Sequence, residues 1–252
     1  MAPTIENKTV KEQNTYNQYA DRYAEGYIPS NGKQSNFNLD VIIPPLLEAV
    51  GDVTGLTVLD AGCGEGVVSR LLAERGATVT GIDVAPRFVE LAQERDTSGT
   101  ISYLCHDLSQ PLPAQQGQFD CIVSNLVLND VPDYQGFIAT LATVLKPAGR
   151  IVLSMNNPYS AVFRQKVDNY FDSATATLYG MAREGIAVYY YHRTMEEYMT
   201  AFQANGLLLR RLLDIRFTEA QVKQFFASNR DFPWYEMYTR FPFMIVLEMV
   251  KQ

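Results

Sequence analysis

Nine residues, Val58-Leu59-Asp60-Ala61-Gly62-Cys63-Gly64-Glu65-Gly66, set one acid ahead of three alternating glycines. Glycine lets a backbone turn sharply and approach a ligand with no Cβ in the way, so this spacing suits a cofactor cradle. Two further acids follow in step. Asp83 lies roughly 20 residues on, where an acid grips ribose hydroxyls, and Asp107 is placed to accept from an adenine amino group. A dinucleotide fingerprint carries its third glycine one residue later and puts a pyrophosphate on the helix N-terminus. Here Asp60 precedes the turn, and an acid there repels a pyrophosphate and attracts an ammonium. A nucleoside with a cationic tail and no phosphate fits, and S-adenosylmethionine is such a molecule.

These acids need a scaffold that lines them along one edge. The apolar run Leu56 to Leu59 reads as a strand and Val67 to Arg75 as a helix, with Val68, Leu71 and Leu72 on one face. Thr78 to Ile82, Ile101 to Cys105 and Phe119 to Ser124 read as further strands, with Asp83, Asp107 and Asn125 to Asp130 at their carboxyl ends. Helices are expected from Ala85-Pro86, with Phe88, Leu91 and Ala92 inward, and over Gly136 to Leu145. Strand and helix alternate, which predicts an α/β fold with a doubly wound, Rossmann-like parallel sheet whose ligands sit at the carboxyl ends of strands. Ahead of it, Tyr16, Tyr19 and Tyr23 share one side of a helix. Ser30 to Asn38 reads as a polar loop, Leu39 to Val50 as a helix, and residues 1 to 12 as a loose terminus.

On VLDAGCGEG, GIDVA (Gly81 to Ala85), HDL (His106 to Leu108), FDCIVSNLVLNDV (Phe119 to Val131) and LKPAGR (Leu145 to Arg150), the chain resembles the class I S-adenosylmethionine-dependent methyltransferases, in the UbiE/UbiG-like small-molecule group. The likeness is strong over residues 10 to 155 and looser beyond. It implies a seven-stranded, mostly parallel sheet, with LKPAGR turning into a fifth strand at Arg150 to Ser154. Leu207 to Ile215 and Phe243 to Val250 supply two more strands, the last antiparallel. It implies one domain over residues 13–252. Residues 13–38 form a cap segment that folds over the cofactor, where Tyr16, Ala20 and Tyr23 match. The implied cofactor-binding set is Tyr16, Tyr23, Asp60, Ala61, Gly62, Cys63, Gly64, Asp83, Val84, His106, Asp107, Leu108, Asn125 and Leu126. His192, Asn129 and Tyr23 are the candidate catalytic residues.

Residues 156–191 depart from a minimal core. This insertion carries Tyr159, Phe163, Tyr170, Phe171, Tyr179 and Tyr189 to Tyr191, and is expected to be a helical substrate lid. A second aromatic cluster, Phe225, Phe226, Phe232, Trp234, Tyr235 and Tyr238, is placed to meet it. Most of these rings are expected to pack the lid together, and a few to line a pocket for a planar or apolar small molecule. Beyond the insertion, Thr194 and Glu197 form a capping box. His192, at that helix start, suits capping more than catalysis, and His106 next to Asp107 suits a structural role. Asn129 and Asp130 fall near the expected methyl site, where turn or cap duties compete.

Methyl transfer from a sulfonium needs alignment and exclusion of water, and a base only where the acceptor must lose a proton. No triad is expected. Three cysteines without C-x-x-C spacing predict neither metal nor disulfide and fit a reducing cytoplasm. With 252 residues, a net charge of −7 and no basic run, a nucleic-acid partner is disfavoured. The polar start MAPTIENKTVKEQ is unlike a signal peptide, and no apolar stretch reaches membrane-spanning length. The expected function is methylation of O, N or C in a small aromatic or apolar metabolite, by a monomer or homodimer. The alternatives are a non-methylating S-adenosylmethionine enzyme of the same fold and a non-catalytic regulatory protein that binds it. A nicotinamide dehydrogenase is the near miss that the glycine spacing disfavours.

Overall fold

The computed structural model describes residues 16–24, 29–30, 33–34, 37–113, 118–163, 167–173, 176–181, 186–227 and 235–252. The terminus before residue 16, and Phe232 and Trp234 of the second aromatic cluster, lie outside them. After a two-residue antiparallel pairing of Pro29–Ser30 with Lys33–Gln34, overlapping the span expected to be a loop, the first five strands of the main sheet are β1 (Thr57–Ala61), β2 (Thr78–Asp83), β3 (Ser102–Cys105), β4 (Phe119–Asn125) and β5 (Leu145–Asn156). A hairpin of β6 (Ala176–Met181) and β7 (Ile186–Tyr191) follows, then β8 (Leu207–Ile215) and β9 (Met244–Lys251). Strands β1 to β5, β8 and β9 join one seven-stranded sheet of order β8-β9-β5-β4-β1-β2-β3. Strands β1 to β5 run parallel to one another, and β9 is antiparallel to both β5 and β8. The winding reverses between β1 and β4, which opens a crevice at their carboxyl ends.

Both faces of the sheet are covered, so its central strands are apolar on both sides. Val58, Val123, Val152 and Val246 point to one buried layer, while Leu59, Ile122, Ile151 and Ile245 point to the other. Helices α2 (Ile43–Val50) and α3 (Val67–Glu74) cover the first face. On the second face lie α5 (Tyr134–Val144) and α6 (Met195–Ala204), while α4 (Pro86–Arg95), between β2 and β3, buries Phe88 and Leu91 in a separate cluster with Ala20 and Ala85. The expected helix over residues 39–50 begins as a π-type turn, Asn38–Ile42, because Pro44 and Pro45 bring no N–H to the first α turn. Residues 16–24 form α1, which lays Ala20, Tyr16 and Tyr23 on Ala85, Phe88 and Leu91. Polar contacts fix its register: Asn17 Oδ1 accepts from the Arg87 N–H at 2.8 Å, and Asp21 pairs with the Arg87 guanidinium at 2.8 Å.

Two expectations change. LKPAGR is not a separate turn: β5 starts at Leu145, and its register jumps from Phe119↔Leu145 to Cys121↔Arg150 across a bulge with Ala148 at φ 60°. The described part of the insertion is also not an α-helical lid. Among its described residues it holds one 3-10 turn, Pro158–Ser160, and the β6–β7 hairpin. The run Ile186-Ala-Val-Tyr-Tyr-Tyr is β-branched and aromatic, a composition suited to a pleated surface. The capping box after it forms as predicted: Thr194 Oγ1 accepts from Glu197 N–H and Glu197 Oε2 accepts from Thr194 N–H at 2.7 Å. No helix among the described residues is long and apolar enough to cross a membrane.

Candidate functional site

The glycine turn leaves β1 and is clamped to β2, since Gly62 and Cys63 N–H both donate to the Ile82 carbonyl at 2.8 and 3.0 Å. Gly62, Gly64 and Gly66 all take positive φ, at 79°, 53° and 82°. At Gly66, the residue before α3, an added Cβ would stand 2.6 Å from the Tyr103 hydroxyl. Gly64 faces open space, and its N–H donates to Asp83 Oδ2 at 2.8 Å. Asp83 Oδ1 accepts from Ala85 N–H at 2.9 Å, so the acid ties the loop to the start of α4. Burial pushes its carboxyl above the usual carboxylate range, against the pull of those N–H bonds. Asp107 accepts from Ser109 N–H at 2.9 Å in a tight turn after β3.

On the other flank, β4 ends at Asn125 and Leu126 takes φ 60°, a left-handed conformation that costs a β-carbon residue about 1–2 kcal/mol. Ser154 on β5 holds it there. The Leu126 N–H donates to both the carbonyl and Oγ of Ser154 at 3.1 Å, and Ser154 Oγ donates to Asn125 Oδ1 at 2.7 Å. Strain of this kind at a strand end gathers at ligand sites. From α1, the Tyr16 hydroxyl donates to Asp130 Oδ2 at 2.6 Å across the crevice. Burial and then Asp130 raise the Tyr16 hydroxyl well above its ordinary pKa, and burial pushes Tyr23 up to about 12.

These elements enclose one cavity. Of the expected residues, Tyr16, Tyr23, Gly62, Gly64, Asp83, Val84, His106, Asp107, Leu108, Asn125 and Leu126 line it. Phe88, Val127, Asp130 and Phe137 also line it. The apolar ones could be found only by knowing which helix faces turn toward the crevice. Three carboxylates face the cavity, and no Lys or Arg is among the described lining residues. His106 belongs to this wall, with its Nε2 buried and unpartnered, because the chain turns after Cys105 instead of continuing the strand alternation.

Other expected residues stand elsewhere. Asp60, Ala61 and Cys63 are buried behind the loop and do not line the cavity. Asp60 accepts the Ser69 hydroxyl at 2.6 Å on Oδ2 and has no partner on Oδ1, and burial raises its pKa to about 7. It braces the loop against α3 and does not face the ligand space. Burial raises the Cys63 thiol well above its usual pKa and the Cys121 thiol to about 11, which leaves both unreactive. Asn129 is buried and spent on structure, donating to the Tyr198 hydroxyl at 3.2 Å and accepting from Asn156 N–H at 2.9 Å. His192 is fully buried, with Nε2 2.7 Å from the Tyr170 carbonyl, and it too does not line the cavity. Three of the insertion's rings, Tyr159, Phe163 and Tyr170, gather at a separate cleft of about 580 Å³ with Phe241 and Leu212, and the Tyr179 side chain lies outside the described residues. The second cluster packs largely inside the core, with Phe226 stacked on Tyr238 at 3.9 Å.

Comparison with known proteins agrees with this geometry. A family model described as a methyltransferase domain matches residues 59–153, from β1 through β5. A ubiquinone biosynthesis O-methyltransferase from Xanthomonas oryzae pv. oryzae is 37% identical over 114 residues, covering 44% of this chain and 48% of that protein. The chain thus spans about half the length of that relative. Its counterpart from Xanthomonas euvesicatoria pv. vesicatoria is 32% identical over 165 residues, covering 62% of this chain and 68% of that one. Among solved structures, magnesium protoporphyrin IX methyltransferase from Synechocystis aligns at TM-score 0.63 and 22% identity over 97% of this chain and 99% of that one. An S-adenosylmethionine-dependent methyltransferase from Mesorhizobium loti aligns at TM-score 0.61 and 24% identity over 82% and 96%. The two structures share the fold, and the Xanthomonas relative of which two thirds is covered carries the family. With the glycine turn, the acids at three strand ends and the sheet order in agreement, the chain belongs to the class I S-adenosylmethionine-dependent methyltransferases.

Proposed function

We propose that the protein transfers a methyl group from S-adenosylmethionine to a small aromatic or apolar metabolite. The observation that carries this reading is the charge of the cavity: Asp83, Asp107 and Asp130 line it with no Lys or Arg among the described lining residues. That lining repels a pyrophosphate and suits a cationic, phosphate-free nucleoside. When bound, the cofactor supplies a methyl group activated by its sulfonium. The chain does the positioning. Asp107 and Asp83 hold the adenine and ribose, the open Gly64 wall admits the ligand, and Tyr16, Tyr23 and Phe88 exclude water from above. Oxygen is the favoured acceptor atom, given the O-methyltransferases among its relatives.

Residues 13–252 act as one catalytic unit in this reading, with 13–38 as cap and 156–191 as lid. Support for the lid comes from its base, which is bolted to the cavity rim. Tyr191 N–H donates to the Asn129 carbonyl at 2.8 Å, and the Arg193 guanidinium donates to the Pro132 carbonyl at 2.6 Å while lying over the Tyr134 ring. The acidic chain is taken to act in the cytoplasm, as monomer or homodimer, without nucleic acid. The test is calorimetric binding of S-adenosylmethionine and S-adenosylhomocysteine to wild type and Asp83→Ala. Affinity in the micromolar range that collapses in the variant supports the reading. A wild type that binds neither molecule refutes it.

A further inference from the structure

The three carboxylates of the cavity are not equivalent. Asp83 and Asp107 are turned onto main-chain N–H groups, those of Gly64 and Ala85 for Asp83 and that of Ser109 for Asp107. Asp130 lies on the loop beyond β4 and takes the Tyr16 hydroxyl at 2.6 Å, a group delivered by an element 114 residues earlier in the chain. A donor this close stabilises the ionised form of a carboxylate. Tyr16 in turn is a poor acid, held protonated by burial and by Asp130 itself, so the donation runs one way. With the adenine and ribose assigned to Asp107 and Asp83, Asp130 is the lining acid left for the part of the cofactor beyond the ribose, where the sulfonium and then the amino-acid tail follow. The strained Leu126 and Ser154-held Asn125 line the same cavity.

A fixed anion in a water-poor cavity acts strongly on a cation placed beside it. S-adenosylmethionine and S-adenosylhomocysteine share adenine, ribose and the amino-acid tail, and differ in the methyl group and the charge on sulfur. We propose that Asp130, oriented by Tyr16, is the counter-charge to the cofactor's sulfonium, and that it makes the site favour S-adenosylmethionine over S-adenosylhomocysteine. The inference rests on the cofactor assigned above. It gives the cavity a reason to let its product go: once sulfur is neutral, the carboxylate has lost the charge it was holding.

The experiment is calorimetry of both molecules with the full chain, as wild type, Asp130→Asn and Asp130→Ser. Asparagine keeps the shape of the side chain and removes its charge, and serine is the second neutral variant should the first fold poorly. The expected result is that S-adenosylmethionine weakens about tenfold or more in both variants while S-adenosylhomocysteine stays within about twofold. Equal weakening of the two molecules, or no weakening of either, overturns the proposal and leaves the cofactor assignment standing. A wild type that binds neither overturns the cofactor assignment, and this inference with it.

Discussion

Gly62 and Gly64 stand two positions apart in the same turn, both at positive φ, yet alanine should act on them differently. At Gly62, φ 79°, an added Cβ overlaps Val127 Cγ2 and stands 3.0 Å from Cγ1 and 3.2 Å from Cβ. Valine is stiff at χ1 and cannot swing aside. Overpacking costs about 1–3 kcal/mol and the left-handed conformation about 1–2 more, so Gly62→Ala should lose about 2–5 kcal/mol. In a chain of this size that lowers Tm by about 5–15 °C. At Gly64, φ 53°, nothing lies within 4 Å of the added carbon, so only the conformational cost of about 1–2 kcal/mol remains. The same carbon, however, enters the wall where the ligand must come close. Gly64→Ala should therefore melt within a few degrees of wild type and lose S-adenosylmethionine affinity, as read by scanning calorimetry and binding titration. A Gly62→Ala protein with wild-type Tm would refute the packing argument. Unchanged affinity in Gly64→Ala would refute the cradle.

Asp60 carries a pH signature. Its folded pKa of about 7 lies above its unfolded value, so the protonated acid favours the fold at low pH, and that advantage is lost as pH rises from about 4 through 7. Denaturant titrations should show the stability of wild type relative to Asp60→Asn falling across that window by up to about 4 kcal/mol, and a flat difference would contradict the burial of this group. His192→Ala should lower stability by about 1–3 kcal/mol, since the Tyr170 carbonyl loses its buried donor, and leave S-adenosylmethionine affinity unchanged. Loss of binding in a stable His192→Ala protein would place the ring in the site after all. Asn129→Ala should cost about 1–3 kcal/mol by removing the acceptor of the Asn156 N–H and one donor to the Tyr198 hydroxyl, with binding again the control.

The sheet strands, the helices between them and the glycine turn were legible in the chain because each rests on short-range causes. Apolar runs at strand spacing, apolar stripes at helix spacing, a proline at a helix start and a glycine at positive φ declare themselves within a few residues. Asp83, Asp107 and Asn125 could be placed at the cavity for the same reason: each stands at the end of a readable strand. The form of the insertion was not legible, because its aromatic spacing serves a helix and a hairpin alike, and pairing with a second strand chose between them.

What stayed hidden depends on partners far away along the chain. Asp60 has the type and spacing of a ligand-binding acid, but the side its carboxylate takes is decided when α3 brings Ser69 beneath the loop. Likewise the meeting of Tyr16 with Asp130 awaits the docking of α1 on α4, and the burial of His192 awaits Tyr170. Spacing along the chain thus announced the cofactor class. Which of the acids faces the ligand was set by long-range packing, because a carboxylate's role follows the donors and the solvent around it.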